Sequence, residues 1–247
     1  MWGKAMLYLV KGSDRRFKNE LDMAFQFRHE AFVEEAGWED LRHANSIESD
    51  QFDTDDTVHV ILIKDGRVQA YSRLNPTMKP HLLSEVYPQL ASRGVPRDHN
   101  AWEWSRMGTA KHGRSDGHGW NSPIGLLLRC VTYVAVKNHI KSLVWQAHPV
   151  WITRAFELGF NPEPLGLPQR IAGERVVATR MNVELDVFRV MDSLNVPRTD
   201  LHDSASSEFS YLVAPVSTVE LGVPNDEHLM EVLRQVSSNQ SRRNQAG

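Results

Sequence analysis

Carboxylic acids are concentrated in one short stretch of the chain, residues 48–56, which reads ESDQFDTDD. Five of its nine residues are acidic, so something must compensate the like charge. The stretch lacks the turn glycine and the closing glutamate of an EF-hand loop, and we predict no metal site there. The last two acids fit a solvated surface, and a solvated face is the alternative for the whole stretch. Glu48, Asp50 and Asp53 are instead candidates for buried ion pairs.

Three arginines stand among apolar residues, where a charge is unexpected. Arg28 falls on the apolar stripe of a helix predicted over residues 19–34, and Arg73 ends a strand rich in apolar residues. Arg106 belongs to the segment WEWSRM, together with Glu103. A buried charge is tolerated when it is paired, and a carboxylate bound by arginine N–H groups is such a pair. We therefore predict one cluster in which these arginines face the three acids above and Glu103.

Glu103 is also the candidate general base. Trp102 and Trp104 flank it and would keep water from its carboxyl, which makes a carboxylate a stronger proton acceptor near neutral pH. Strict strand alternation puts Glu103 and Arg106 on opposite faces, so either a β-bulge re-aims one of them or they line different walls of a cleft. A structural ion pair between the two is the alternative to a catalytic role.

The elements that must position these residues alternate between strand and helix. Asp65-Gly66, between two β-rich runs, predicts a two-residue hairpin turn. A first strand is predicted within residues 1–14 and a short helix within residues 79–94. Further strands and helices are predicted over residues 101–110, 123–139, 141–148, 150–159 and 170–185. This order indicates a layered α/β/α domain with a mixed sheet.

Bulk composition sets aside several classes of partner. Lys and Arg number 28 against 31 Asp and Glu, a net charge of −3, so there is no basic excess to attract nucleic acid. No run approaches the roughly 18 apolar residues of a membrane span, and no signal peptide is recognisable. Cys130 is the single cysteine, so no intrachain disulfide can form. We expect a cytoplasmic protein.

A glycine-rich loop, RSDGHG at residues 114–119, precedes the helix predicted over 123–139. Glycines let the backbone approach a ligand closely, and the N–H groups of a helix N-terminus suit a pyrophosphate. The spacing of Arg114, Gly117 and Gly119 resembles the pyrophosphate loop of the GNAT acyltransferases. A plain flexible loop is the alternative.

Taken in order, the motifs resemble one family, the LuxI-type acyl-homoserine-lactone synthases, which make quorum-sensing autoinducers. The matching segments are FRHEAF, Trp38, ESDQFD, SRLNPT and WEWSRM, within a resemblance that runs from about residue 18 to residue 190. The segments FVEE, SEVYPQL, WEWSR and PLGLP resemble most a subgroup that makes short branched-chain or aryl homoserine lactones. That subgroup takes its acyl group from acyl-CoA, where most of the family uses acyl-acyl carrier protein.

The resemblance implies a fold and a reaction. The fold is GNAT-like, a three-layer α/β/α domain with a mixed, mostly antiparallel central sheet, over residues 1–195. Residues 196–247 form a C-terminal extension, which we expect to be partly helical with a disordered end. The α-amine of S-adenosylmethionine attacks the acyl thioester, and the methionine carboxylate then closes the lactone and expels 5′-methylthioadenosine. Both compounds are substrates, and no prosthetic group is expected.

Roles follow from the chemistry of these substrates, which bring an ammonium, a sulfonium, a carboxylate and a thioester. The S-adenosylmethionine site is expected to comprise Arg28, Phe32, Trp38, Asp50, Asp53 and Arg106. Glu48 and Arg73 complete the charge cluster. Glu103 takes the amine proton, directly or through a water, and N–H groups near Ser105 stabilise the oxyanion. The acyl and CoA site is expected to comprise Met107, Arg114, Gly117, Gly119, Trp145, Gln146 and Trp151.

Two other functions compete with this one. An ordinary GNAT N-acyltransferase acting on another amine would keep the glycine-rich loop without needing Arg28, Trp38 or the acidic stretch. A non-catalytic ligand sensor on the same fold would bind without turnover. The partners expected are small-molecule substrates, with acyl carrier protein as an alternative donor, and the chain is either a monomer or a homodimer.

Overall fold

A mixed β-sheet forms the middle layer of the structure. The computed structural model describes residues 5–111, 122–184 and 186–193. Its strands are β1 (Ala5–Lys11), β2 (Val58–Lys64), β3 (Arg67–Pro76), β4 (Ala101–Thr109), β5 (Ser142–Ala147), β6 (Asn161–Pro164), β7 (Gln169–Ile171) and β8 (Glu174–Asn182). They lie in the order β1-β2-β3-β4-β5-β8-β6, and β7 pairs with β8. The β4–β5 pair is parallel and the other pairs are antiparallel.

Helices cover both faces of this sheet. They are α1 (Lys18–Arg28), α2 (Leu82–Glu85), α3 (Pro123–Lys137), α4 (Val150–Glu157) and α5 (Asp186–Ser193). The main apolar cluster joins α3, α4 and α5 to one face. Smaller clusters join α1 and α2 to the other face, which we call the α1 face. The chain thus has the predicted three layers.

Side-chain alternation explains why one face is apolar and the other polar near the centre of the sheet. Leu74 and Trp104, on neighbouring strands, are buried in the cluster under α3. Arg73 and Ser105 lie directly opposite each other on these two strands and point to the α1 face, because successive strand residues point to opposite faces. The polar residues of the middle strands are therefore gathered on one side of the sheet.

The hairpin turn predicted at Asp65-Gly66 is confirmed. Asp65 and Gly66 both have positive φ, 52° and 73°, as a type I′ hairpin turn requires. The helix predicted over residues 19–34 is α1 continued by a π-helical turn, His29–Glu35. Strand β6 and helix α5 had no prediction. In the described part of the chain, no helix is long and apolar enough to cross a membrane.

Some predictions fall outside the described residues. The C-terminal extension, residues 196–247, lies there entirely. So do Arg114, Gly117 and Gly119 of the glycine-rich loop. The pyrophosphate role of that loop and the boundary of the extension stay predictions.

Candidate active site

Arg28 is the centre of a buried charge cluster on the α1 face. Its side chain is fully buried at the end of α1. Its Nε donates to Glu48 Oε2 at 2.5 Å, and its Nη1 donates to Asp53 Oδ1 at 2.7 Å. The guanidinium also lies 5.5 Å from the centre of the Tyr71 ring. The charge that interrupted the apolar stripe of the helix is thus paired and enclosed.

Arg106 reaches the same cluster because β4 is bulged. Tyr71 pairs with Gly108 and Arg73 pairs with Ser105, so β4 carries one extra residue between these positions. Arg106 itself has φ of 54°, a left-handed conformation that is unusual for a side-chain-bearing residue. The bulge turns Arg106 away from the face that carries Trp104 and onto the α1 face. Its Nη2 donates to Glu48 Oε1 at 3.1 Å and to Asp50 Oδ2 at 2.9 Å.

Arg73 completes the set of arginines. Its Nη1 donates to Asp50 Oδ1 at 2.6 Å and to Asp53 Oδ1 at 2.9 Å, and its Nε donates to Ser105 Oγ at 3.1 Å. The acidic loop is also braced by its own backbone, since the Asp50 N–H donates to Asp53 Oδ2 at 2.8 Å. Three arginines and three acids therefore form one network with balanced charge, as the sequence predicted for these six residues.

The network holds Glu48 and Asp53 in the ionised form. Burial by itself would raise the pKa of Glu48, but the charges and hydrogen bonds of Arg28 and Arg106 outweigh it and hold that pKa below its usual value. The pKa of Asp53 is lowered further, because Arg28 and Arg73 together outweigh the effect of its burial. Asp50, with 16% of its side chain exposed, is the most accessible of the three acids.

An aromatic wall stands beside the cluster. The rings of Phe32 and Trp38 are stacked, with centroids 5.2 Å apart and an interplanar angle of 13°. Phe32 is buried, whereas Trp38 is 45% exposed. The Arg106 guanidinium lies 6.0 Å from the Phe32 ring centre, so the wall adjoins the charges. Gly108 lets Phe32 pack closely, since a Cβ there would lie 3.3 Å from Phe32 Cζ.

Glu103 is not part of the cluster, and that part of the prediction was wrong. Its carboxylate accepts hydrogen bonds from the N–H groups of Leu82 at 2.9 Å and Leu83 at 2.8 Å. It also accepts one from Gln146 Nε2 at 3.1 Å. The first turn of α2 thus compensates this buried charge with backbone donors. The ion pair between Glu103 and Arg106 that the sequence left open is therefore not formed, because Arg106 pairs with Glu48 and Asp50 instead.

The flanking tryptophans do not enclose the Glu103 carboxyl either. Trp104 is buried in the α3 cluster and Trp102 packs against that cluster, on the opposite face of the sheet. Period-two alternation decides this, because Glu103 lies between them on the strand. Its burial comes instead from α2 and from Gln146. The expectation that tryptophans desolvate Glu103 was therefore wrong, although its side chain is fully buried.

The expected acyl-site residues divide between the two faces. Trp145 is buried in the cluster under α3 and α4, and Met107 and Trp151 pack against it. Gln146 is on the α1 face with Glu103. Strands β4 and β5 pair only from Ala101↔Ser142 to Glu103↔Val144, although both continue further. Beyond that point the two strands are no longer paired with each other, and we call this unpaired stretch the opening between β4 and β5.

Sequence reasoning missed several residues around the cluster. The Tyr71 hydroxyl accepts a hydrogen bond from Arg28 Nη1 at 3.3 Å and lies 2.8 Å from His59 Nδ1. Asn75 is directly opposite Glu103 and accepts a hydrogen bond from the Thr57 hydroxyl. The signal was available, because Tyr71 and Asn75 are two residues before and after Arg73 and so share its face.

This sequence and this fold have counterparts among known proteins. The family model described as "Autoinducer synthase" matches residues 13–186. The isovaleryl-homoserine lactone synthase of Bradyrhizobium diazoefficiens is 33% identical over 196 residues, which cover 78% of this chain and 87% of that protein. The chain belongs to the autoinducer synthase family, whose members are acyltransferases.

Two solved structures support the same assignment. BjaI, a CoA-dependent acyl-homoserine lactone synthase solved with SAM and isopentyl-CoA, matches with a TM-score of 0.71 and 32% identity, over 78% of this chain and 91% of that one. MesI, a CoA-dependent acyl-homoserine lactone synthase, matches with a TM-score of 0.68 and 27% identity, over 76% and 94%. The GNAT-like α/β fold class expected from the sequence is confirmed.

Proposed function

We propose that this protein is an N-acyl-homoserine-lactone synthase that joins S-adenosylmethionine to a short acyl group carried by coenzyme A. The observation that carries the proposal is the balanced cluster of three arginines and three acids beside an aromatic wall. BjaI, which has this fold, was solved with SAM and isopentyl-CoA, and also with MTA. The two-step reaction described above fits the charge cluster and the aromatic wall.

The cluster is suited to a substrate that carries charges of both signs. Arg28 Nη2 and Arg73 Nη2 are buried donors without a hydrogen-bond partner in the described residues, so each can donate to the methionine carboxylate. Asp50 is the acid that the substrate's ammonium can approach. Phe32 and Trp38 offer aromatic faces to the sulfonium and the adenine. Glu48 and Asp53 hold the arginines in place.

Glu103 is proposed as the base that takes the amine proton. Its Oε2 accepts one hydrogen bond and Oε1 accepts two, so Oε2 keeps a lone pair for a water or for the amine. The edge of β4 just after Glu103 is not paired with β5, and its N–H groups near Ser105 are candidates for the oxyanion site. Gln146 and the first turn of α2 position the base.

The acyl donor is proposed to enter at the opening between β4 and β5. Met107, Trp145 and Trp151 would bound the acyl group, and their bulk favours a short, branched or flat chain. The loop with Arg114, Gly117 and Gly119 is proposed to hold the pyrophosphate of CoA. Acyl carrier protein is the alternative donor in this proposal. The protein is further proposed to act in the cytoplasm, as a monomer or a homodimer, with residues 196–247 as an extension outside the synthase domain.

Mass spectrometry of one reaction tests the proposal. Purified protein is incubated with S-adenosylmethionine and straight, branched and aromatic acyl-CoAs, and then with the matching acyl-carrier-protein donors. We expect equimolar methylthioadenosine and one N-acyl-homoserine lactone from a CoA donor. Acylation of another amine without methylthioadenosine would support an ordinary N-acyltransferase. Binding of S-adenosylmethionine without any product would support a sensor.

A further inference from the structure

A buried amide beside the proposed base has a hydrogen-bond donor that no described residue satisfies. Asn75 is 3% exposed, and its Nδ2 has no hydrogen-bond partner in the described part of the chain. Its Oδ1 accepts from the Thr57 hydroxyl at 2.8 Å, which ties the oxygen side of the amide to the start of β2. Native proteins leave few buried polar groups unsatisfied, because such a group has lost its water and gained no partner in return. The Asn75 N–H group therefore calls for an acceptor that a ligand brings.

Asn75 lies between the charge cluster and the proposed base. It is directly opposite Glu103 in the β3–β4 pairing, so the two side chains share the α1 face, with Cβ atoms about 4.5–5.5 Å apart. Arg73, two residues earlier on β3, points to the same face and has an Nη2 donor that is likewise without a partner in the described residues. The Asn75 donor thus continues the donors of the cluster along β3 toward Glu103.

The two opposite side chains offer complementary hydrogen-bonding groups. Asn75 presents an N–H donor, whereas Glu103 Oε2 accepts one hydrogen bond, from the Leu82 N–H at 2.9 Å, and keeps a lone pair. In the methionine part of S-adenosylmethionine the carboxylate only accepts and the ammonium only donates. The carboxylate therefore fits Asn75, and the ammonium fits Glu103. Both groups are bonded to the same carbon atom of the substrate, so they suit a donor and an acceptor on neighbouring strands.

We propose that Asn75 binds the methionine carboxylate of S-adenosylmethionine and positions it for the lactone-forming step. This inference rests on the proposed synthase function. In that step one carboxylate oxygen forms a bond to the γ-carbon. The bond from this carbon to the sulfonium sulfur breaks, and its electron pair stays on the sulfur of neutral methylthioadenosine. A hydrogen bond from an uncharged amide orients the carboxylate and is weaker than one from an arginine, so it draws less charge from the attacking oxygen.

Binding of two ligands tests the contact. Asn75→Leu removes both polar atoms at nearly the same volume, and the Thr57 hydroxyl keeps the Phe52 carbonyl oxygen, at 2.8 Å, as an acceptor. We expect calorimetry to give an affinity for S-adenosylmethionine about 10-fold lower than that of the wild type, because a hydrogen bond to a charged group is lost. Decarboxylated S-adenosylmethionine should bind both proteins equally, which also shows that the variant is folded. An equal loss for both ligands would overturn the contact.

The order of product release in a single turnover tests the role in lactone formation. Free CoA reports acyl transfer, and methylthioadenosine reports closure of the lactone. We expect Asn75→Leu to release CoA first and to accumulate N-acyl-S-adenosylmethionine, identified by its mass, because the carboxylate is the nucleophile only in the second step. Glu103→Gln should slow both products equally without this intermediate, because its role is in the first step. Equimolar release at all times from Asn75→Leu would overturn the role in the second step.

Asn75→Asp tests which side of the amide meets the substrate. It keeps an acceptor for Thr57 but puts a carboxylate oxygen in place of the N–H group, so the affinity for S-adenosylmethionine should fall further than in Asn75→Leu. Wild-type affinity in Asn75→Asp would overturn the assignment, since the amide would then turn its oxygen to the substrate.

Asn138→Leu is the matched control. The Asn138 amide donates to the Val134 carbonyl oxygen at 2.8 Å at the end of α3, on the other face of the sheet. This variant should keep the wild-type affinity and product order. Absence of methylthioadenosine from the wild type with every donor would overturn the proposed function itself. Wild-type behaviour of Asn75→Leu in an active enzyme would overturn only the role of Asn75.

Discussion

The site is built on ion pairs whose members differ in accessibility. Glu48 has a fully buried side chain between Arg28 and Arg106, whereas Asp50 has 16% of its side chain exposed. Removing one partner of a buried pair leaves an uncompensated charge that water cannot reach. The residues that hold the fold and those that meet the substrate are therefore distinguishable within one cluster.

Substitutions at these two acids should separate the roles. Glu48→Gln is expected to lower the free energy of unfolding by about 3–5 kcal/mol, because it strands two buried arginines. Asp50→Asn should lose about half as much or less, because water reaches that side chain, yet it should abolish turnover. Urea unfolding and methylthioadenosine release measure the two effects. Normal turnover in a folded Asp50→Asn protein would refute the proposed binding site.

The proposed base has its own signature. Glu103→Gln should lower kcat by about 100-fold or more, with little change in the affinity for S-adenosylmethionine. The residual rate should rise with pH, because an amine that is already deprotonated does not need the base. A purely structural role would lower the melting temperature without changing the shape of the pH profile. Glu85→Gln, on exposed α2 surface, is the control.

At the scale of elements, the bulge in β4 and the π-helical turn after α1 act together. The bulge aims Arg106 at the acids, and the turn brings Phe32 over the same strand. Both are departures from regular geometry, which costs stability and is found most often at functional sites. Gly108 lies where the two meet, and a Cβ added to it would be 3.3 Å from Phe32 Cζ.

Gly108→Ala tests this junction. The added methyl group must displace the Phe32 ring by a few tenths of an ångström, so we expect the KM for S-adenosylmethionine to rise severalfold with a small change in melting temperature. Gly66→Ala is the matched control, since Gly66 has φ of 73° in the hairpin turn far from the site. It should cost about 1 kcal/mol of stability and leave KM unchanged. Equal KM values in both variants would argue against an aromatic wall in the binding site.

At the scale of the whole molecule, buried titratable groups couple the fold to pH. Burial lowers the pKa of His59 to about 3, so the imidazole is neutral in the folded protein. The Tyr71 hydroxyl accepts from Arg28, so its own proton is directed to His59 Nδ1. Protonation of that nitrogen would remove the acceptor. Burial also raises the pKa of Tyr71 to about 12, which keeps its proton in place.

Stability should therefore fall as the solution is acidified. Between about pH 6.5 and pH 3 the unfolded chain binds a proton at His59 that the folded protein does not, so the free energy of unfolding decreases as pH decreases. Glu48 and Asp53, whose pKa values are lowered by folding, add to this loss below about pH 4. His59→Asn should reduce the slope between pH 6.5 and 4.5 by about one proton. An unchanged slope would mean that His59 does not titrate as described.

The sequence by itself determined the hairpin, the interleaved elements and the six members of the charge cluster. These follow from local signals: a turn dipeptide, apolar periodicity, and charges at positions where apolar residues belong. The family resemblance also came from residue types in order along the chain. None of these inferences depends on knowing which strands are neighbours or how they are registered.

Only the tertiary structure decided which face each charged residue occupies and what holds it. A single extra residue in β4 moves Arg106 to the α1 face, and no residue type in this segment predicts a bulge. Glu103 is compensated by backbone N–H groups of α2, which every residue carries, so no charged partner appears in the sequence. Sequence patterns report side chains, whereas register and backbone hydrogen bonding arise from the packing of distant segments.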